Sequence, residues 1–103
     1  MANGLLPNNI ITQVAIVTDD IVALAARWAA VLGVPAPEPH WTDTRELAHT
    51  TYRGEPTEGR SLLAFFDLGP QVRLELIQPD EHPSTWREFL DRNGTALHHI
   101  AFN

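Results

Sequence analysis

Four apolar runs with strand-like patterns lie at residues 11–17, 61–68, 72–78 and 96–103. Each run is short and rich in β-branched, aromatic or other large apolar residues, which is typical of β-strands. Gly69 and Pro70 separate the second run from the third. Because glycine and proline mark tight connections, the second and third runs are predicted to form a β-hairpin.

Two segments between these runs have the spacing of amphipathic helices. In residues 21–32 the apolar side chains fall on one helical stripe. Asp19 and Asp20 are N-cap candidates for this helix, and Gly33 is placed to end it. A second helix is predicted at residues 85–92, before the last apolar run.

The middle of the chain is polar and its pattern is weak. Residues 46–53 are the most strand-like part of it, and residues 54–59 (GEPTEG) have the composition of a loop. With these assignments the predicted order is β-α-β-β-β-α-β. The sequence therefore predicts a single α+β domain.

The composition excludes several classes of partner and site. The net charge is −6, and the seven basic residues are scattered singly, so we expect no nucleic-acid partner. There is no cysteine, which excludes disulfides and thiolate zinc sites. No apolar run approaches the ~20 residues of a membrane helix, and the first ten residues do not resemble a signal peptide. We therefore expect a cytoplasmic protein without a membrane partner.

A short internal repeat connects the first and last apolar runs. Residues 13–16 (QVAI) and 99–102 (HIAF) match by type at each position: a polar residue able to bind a metal, a β-branched residue, alanine and a large apolar residue. Four positions also match by chance, so coincidence remains an alternative. If the repeat is real, residues 1–95 form a βαβββ module with a linking helix. Residues 96–103 are then the first strand of a truncated second module.

Three polar residues are candidates for one metal site. Alternate residues of a strand share a face, which places Gln13, Glu75 and His99 on the less apolar faces of three predicted strands. Two oxygen donors and one imidazole suit a divalent metal ion. The same alternation predicts that His98, with Ile100, points to the other face.

Each candidate also has a simpler interpretation. Gln13 could be a solvated strand residue, and Glu75 could pair with Arg73 or lie on an exposed face. A carboxylate within an apolar strand is nevertheless costly unless it is paired or bound to a metal. The remaining histidines are predicted at the surface: His40, His49 and His82. Two of the tryptophans are predicted in the core: Trp28 and Trp86.

Several segments resemble the vicinal-oxygen-chelate superfamily of glyoxalase, bleomycin-resistance and dioxygenase proteins. They are ITQVAIVTDDIVALAARWAAVLGVP, LAFFDLG, LELIQP and PSTWREFLDRNGTALHHIAFN. They are most similar to methylmalonyl-CoA epimerases and glyoxalase-I-like proteins, over nearly the whole chain and least between residues 36 and 58. The resemblance implies an α+β fold: a βαβββ module of the glyoxalase type, then a helix and the first strand of a second module.

The resemblance also implies a divalent metal ion (Zn, Ni, Co, Mn or Mg) with Gln13, Glu75 and His99 at ligand positions. Gln13 stands where epimerases usually have histidine, although a Gln, Glu, His set is similar to that of glyoxalase I. The fourth ligand of the family, a glutamate late in the second module, has no counterpart in these residues. No catalytic base is assigned.

The activity that the resemblance implies is that of an isomerase, epimerase or lyase. The metal would bind two neighbouring oxygens of a small metabolite or its thioester and stabilise the enolate or enediolate. The alternatives are a metal-free, drug-sequestering binding module and an extradiol-type dioxygenase, for which Gln13 is a poor match. We expect a small-molecule substrate, a homodimer, and little or no activity from these 103 residues alone.

Overall fold

The computed structural model describes residue 5 and residues 9–102 as a mixed α+β fold, with a β-α-β-β-β arrangement followed by a helix and a further strand. The elements are, in chain order, β1 (Ile11–Val17), α1 (Ile21–Leu32), β2 (His40–Trp41), α2 (Arg45–Ala48), β3 (Thr51–Tyr52), β4 (Glu55–Pro56), β5 (Ser61–Leu68), β6 (Val72–Pro79), α3 (Thr85–Asn93) and β7 (Ala96–Phe102). The predicted fold class is confirmed. Within the described residues, no helix is long and apolar enough to cross a membrane.

Five strands form one mixed sheet in the order β2-β5-β6-β1-β7. β5 and β6 pair antiparallel, which confirms the predicted hairpin. β1 lies between two strands from much later in the chain, parallel to β6 and antiparallel to β7. β3 and β4 form a separate two-stranded hairpin.

Helix α1 covers one face of the sheet. The Asp20 side chain accepts a hydrogen bond from the backbone N–H of Ala23, and Gly33 ends the helix in the left-handed conformation with φ of 70°. Both caps were predicted and both satisfy backbone groups that a helix leaves unpaired at its ends. The buried side chains that join the helix to the sheet come from α1, β5 and β6: Ile21, Ala25, Ala29, Ala64, Phe66, Leu74 and Leu76.

Helix α3 covers part of the opposite face. Ser84 caps its N-terminus by accepting a hydrogen bond from the backbone N–H of Arg87. Leu90 of this helix packs on Val17 and Ile77 in a second core cluster. Helix α3 therefore covers one end of the face that carries the polar candidates, because Val17 and Ile77 share that face with them. The free part lies beyond α3.

The strand predicted at residues 46–53 was wrong. Its first half is the short helix α2, and only Thr51–Tyr52 are extended, in a hairpin whose second strand lies in the predicted loop. The physical reason is that these residues are held by polar contacts with α3 and not by a buried apolar face. The Tyr52 hydroxyl donates to the Glu88 carboxylate at 2.9 Å, and the Arg53 guanidinium pairs with the same carboxylate.

Candidate functional site

A row of cross-strand neighbours brings together two of the three predicted metal ligands. Ala15 on β1 pairs with Glu75 on β6 on one side and with His99 on β7 on the other. Neighbouring strands are about 4.8 Å apart, so Glu75 and His99 leave their strands about 10 Å from each other. Ala15 between them is fully buried and contributes only a methyl group. The two longer side chains therefore have room to approach each other above it.

Gln13 lies in the adjoining row of the same face, between Arg73 and Ala101. The pairing of β1 with β7 matches Gln13 to Ala101, Val14 to Ile100, and Ala15 to His99. A local two-fold axis through the Val14–Ile100 pair therefore relates residues 13–15 to residues 99–101. The short sequence repeat thus corresponds to a structural symmetry, and Gln13 and His99 occupy equivalent positions in it.

The Glu75 carboxyl interacts with both of the other candidates, Gln13 and His99. Glu75 is half-buried, and desolvation raises its pKa above the ordinary value for glutamate. The charges of His99 and Arg73 and a hydrogen bond from Gln13 oppose this rise but do not cancel it. The structure therefore gathers Gln13, Glu75 and His99 on one face, around a carboxylate whose charge is incompletely compensated. Their role as metal ligands stays a prediction.

The chemistry of these side chains fits a divalent metal ion. In the described part of the chain, no three His, Cys, Asp or Glu side chains group into a metal site. The predicted set contains only two residues of those types, because its third member is Gln13. An amide oxygen, a carboxylate and an imidazole are donors for Zn²⁺ and related ions. A bound cation would also supply the compensation that the half-buried Glu75 lacks.

His98 lies on the same face as His99, which was not predicted. Ala15 pairs with His99, but the next residue of β1, Ile16, pairs with Leu97, so His98 has no partner in the register and is the extra residue of a β-bulge. Its Nδ1 lies 2.7 Å from Nδ1 of His99, and its ring contacts Phe89 of α3 edge-on, with 4.8 Å between ring centroids. Burial and then the neighbouring His99 lower the pKa of His98. The prediction that His98 points to the opposite face was wrong, because strict alternation fails at a bulge.

Phe65 and Arg73 line the free face beside Glu75, and sequence reasoning had not selected either as a site residue. Phe65 on β5 pairs with Glu75. The Arg73 guanidinium carbon lies 4.2 Å from the centroid of the Phe65 ring, and its Nε lies 4.0 Å from the Asp67 carboxylate. The alternation of side chains along β5 and along β6 indicates which residues of each strand share a face. It does not indicate which residues of the two strands are neighbours, so the register was needed to place Phe65 beside Glu75.

Two concave regions of the surface lie away from the predicted ligands. One, of about 450 Å³, is formed mainly by the β3–β4 hairpin, and another, of about 380 Å³, lies along the outer side of α3. Neither is lined by Gln13, Glu75 or His99. A single open sheet face forms a wall and not a closed pocket, so a site on this face need not coincide with a hollow.

The remaining sequence predictions about histidines and tryptophans agree with the structure. The histidines predicted at the surface are exposed: His40, His49 and His82. Trp28 and Trp86 are partly buried and pack against the two core clusters. These side chains therefore belong to the surface and the core and not to the candidate site.

Comparisons with known proteins agree with the resemblance found in the sequence. In the crystal structure of methylmalonyl-CoA epimerase from Mycobacterium tuberculosis, a similar fold covers 97% of this chain and 57% of that chain, with a TM-score of 0.58 and 20% sequence identity. The uncharacterized protein YqjC of Bacillus subtilis (strain 168) is 50% identical over 40 residues, which are 39% of this chain and 28% of that protein. The chain thus spans less than two thirds of either protein. The sequence model of the Glyoxalase/Bleomycin resistance protein/Dioxygenase superfamily matches residues 12–103, and the chain belongs to this superfamily.

Proposed function

We propose that this chain provides the metal-binding half of an isomerase, epimerase or lyase acting on a small oxygenated metabolite or its thioester. The observation that carries the proposal is Glu75, a half-buried carboxylate with a raised pKa, placed on the same sheet face as Gln13 and His99. A charge in such surroundings is costly unless a cation or a hydrogen-bonded partner compensates it. A metal-binding role explains why this carboxylate is there.

The roles of the residues follow from their chemistry. Gln13, Glu75 and His99 would hold a divalent ion such as Zn²⁺, Ni²⁺, Co²⁺, Mn²⁺ or Mg²⁺. When bound, this ion would act as a Lewis acid toward neighbouring substrate oxygens. Arg73, exposed beside Glu75, adds a positive charge that favours an anionic substrate. None of these residues is assigned as the base that moves the proton.

The site is completed, in our proposal, from beyond the free edge of β7. β7 is the last strand of the sheet within the described residues, and Leu97 and Ile100 on it are exposed. The local two-fold axis that relates Gln13 to His99 would place a counterpart of Glu75 next to Ala101 on that edge. We propose that residues 1–95 are the first module with its linking helix, that residues 96–103 begin a second, and that the active assembly is a homodimer.

Metal titration tests the proposal. Metal-stripped protein is titrated with each of the five ions by calorimetry, and Glu75→Ala is compared with Glu38→Ala, since Glu38 is an exposed loop residue. We expect the affinity to fall strongly only in Glu75→Ala. Light scattering under the same conditions reports the expected dimer.

Two results would contradict the metal-binding role. Equal affinities of the two variants would place the metal elsewhere on the protein. A wild-type protein that binds none of the ions would favour the alternative function, a metal-free module that binds a small molecule on the same face.

A further inference from the structure

We propose that His98 is a positioning residue: its Nδ1 accepts a hydrogen bond from Nδ1–H of His99 and so leaves Nε2 of His99 as the ring nitrogen available on the open face. The observation is the 2.7 Å distance between the two Nδ1 atoms. This inference rests on the proposed function, because the direction of the hydrogen bond is assigned from the role of His99 as a metal ligand.

The bulge in β7 is what makes this contact geometrically available. In a regular strand, neighbouring side chains point to opposite faces and their rings cannot meet. The extra residue in β7 turns His98 to the side of His99. Bulges are frequent beside functional sites, where they redirect a side chain.

The identity of the donor follows from the number of nitrogens on each ring. A neutral imidazole has one N–H and one bare nitrogen. Since Nδ1 of His99 faces His98, only Nε2 of His99 remains to bind a metal, and it must be bare to do so. The hydrogen of His99 therefore resides on Nδ1, and Nδ1 of His98 is the acceptor. Histidines that bind metals commonly donate their second ring N–H to an acceptor in this way.

Phe89 of α3 keeps the His98 ring in place. The two rings meet edge-on at 80°, with their centroids 4.8 Å apart. Phe89 itself packs against the core cluster formed by β1, β6 and α3. Phe89 thus holds the His98 ring against the most buried part of this face. The hydrogen bond between the two imidazoles in turn restricts the orientation of the His99 ring.

Nuclear magnetic resonance of the metal-free protein tests the inference directly. Long-range ¹H–¹⁵N correlations distinguish the two tautomers of each histidine. We expect His99 to be the Nδ1–H tautomer and His98 the Nε2–H tautomer, while exposed His49 shows a mixture. An Nε2–H tautomer of His99, or a mixture like that of His49, would overturn the proposal.

Two substitutions at His98 separate hydrogen bonding from packing. In His98→Asn the amide oxygen can take the place of Nδ1 as acceptor, whereas His98→Leu keeps an apolar contact with Phe89 and removes the acceptor. We expect His99 to keep its tautomer in His98→Asn and to become a mixture in His98→Leu. An unchanged His99 tautomer in His98→Leu would refute the role of His98, and the wild-type spectrum decides the question if that variant fails to fold.

Zn²⁺ affinity connects this result to the proposed function. Loss of a partner that orients a metal ligand typically costs about 10–100-fold in metal affinity. We expect a loss in this range in His98→Leu and a smaller one in His98→Asn. Wild-type protein that shows the expected tautomers but binds no metal would contradict the proposed function and not the positioning role. Equal Zn²⁺ affinity in wild type and His98→Leu would contradict the positioning role.

Discussion

Ala15 is the residue over which Glu75 and His99 are expected to meet, and enlarging it should separate metal binding from stability. Ala15→Val adds two methyl carbons at a position with 0% exposure. Added carbons in a packed core typically cost about 1–3 kcal/mol. In a domain near 100 residues, each kcal/mol lowers Tm by about 4–8 °C.

The effect on metal binding should exceed the effect of lost stability alone. Each ligand atom must come within about 2–2.6 Å of the same ion, although the two strands that carry Glu75 and His99 are about 10 Å apart. The branched side chain of the introduced valine would stand between the two converging side chains. We expect Zn²⁺ affinity to fall about 10-fold or more, as for other changes that displace a ligand's support.

Ala64→Val is the matched control. Ala64 is 1% exposed and packs on the α1 side of the sheet, away from the predicted ligands. Urea unfolding of the metal-free proteins should show similar losses of stability in both variants, and calorimetry should show weaker Zn²⁺ binding only in Ala15→Val. If Ala15→Val binds Zn²⁺ as tightly as wild type, Glu75 and His99 do not converge over Ala15 and the reasoning fails.

Three further predictions concern stability and are measured by urea unfolding. Glu75→Gln should stabilise the metal-free protein at neutral pH. Because burial raises the pKa of Glu75, the folding stability of wild type falls as pH rises through that pKa. The gain in stability from Glu75→Gln should therefore vanish at lower pH. Leu76→Ala, at a fully buried position, should cost about 2–5 kcal/mol, whereas Leu97→Ala, at 56% exposure, should cost little; equal costs would contradict the described packing. The hydrogen bond from Arg53 lowers the pKa of Glu88, so the stability that Glu88→Gln removes should be present above the ordinary glutamate pKa and disappear as pH falls through the lowered one.

The main strands and helices were predictable because each has a sustained apolar pattern and recognisable ends. α1 shows this most clearly, since Asp20 and Gly33 cap it where the sequence indicated. Residues 46–53 had no such pattern. Their conformation depends on Glu88, which lies 35 positions from Arg53, and a contact with so distant a residue leaves no periodic signal in the local sequence.

The candidate site was predictable from the faces of the strands but not in its details. Alternation placed Gln13, Glu75 and His99 on one face, and the register in the structure makes them neighbours. Alternation also placed His98 on the opposite face, because no residue pattern in 96–102 indicates a bulge. The extra residue became visible only through the pairing of β7 with β1.

The position of β1 in the sheet has a consequence for how the protein is made. Both of its neighbours are synthesised long after it: the Thr12 hydroxyl, for example, donates to the backbone carbonyl of Ala101, 89 positions away. Contacts of such long range form slowly because a large loop must close first. A nascent chain released before β6 and β7 would leave β1 with both edges unpaired, and such a fragment would be prone to aggregation.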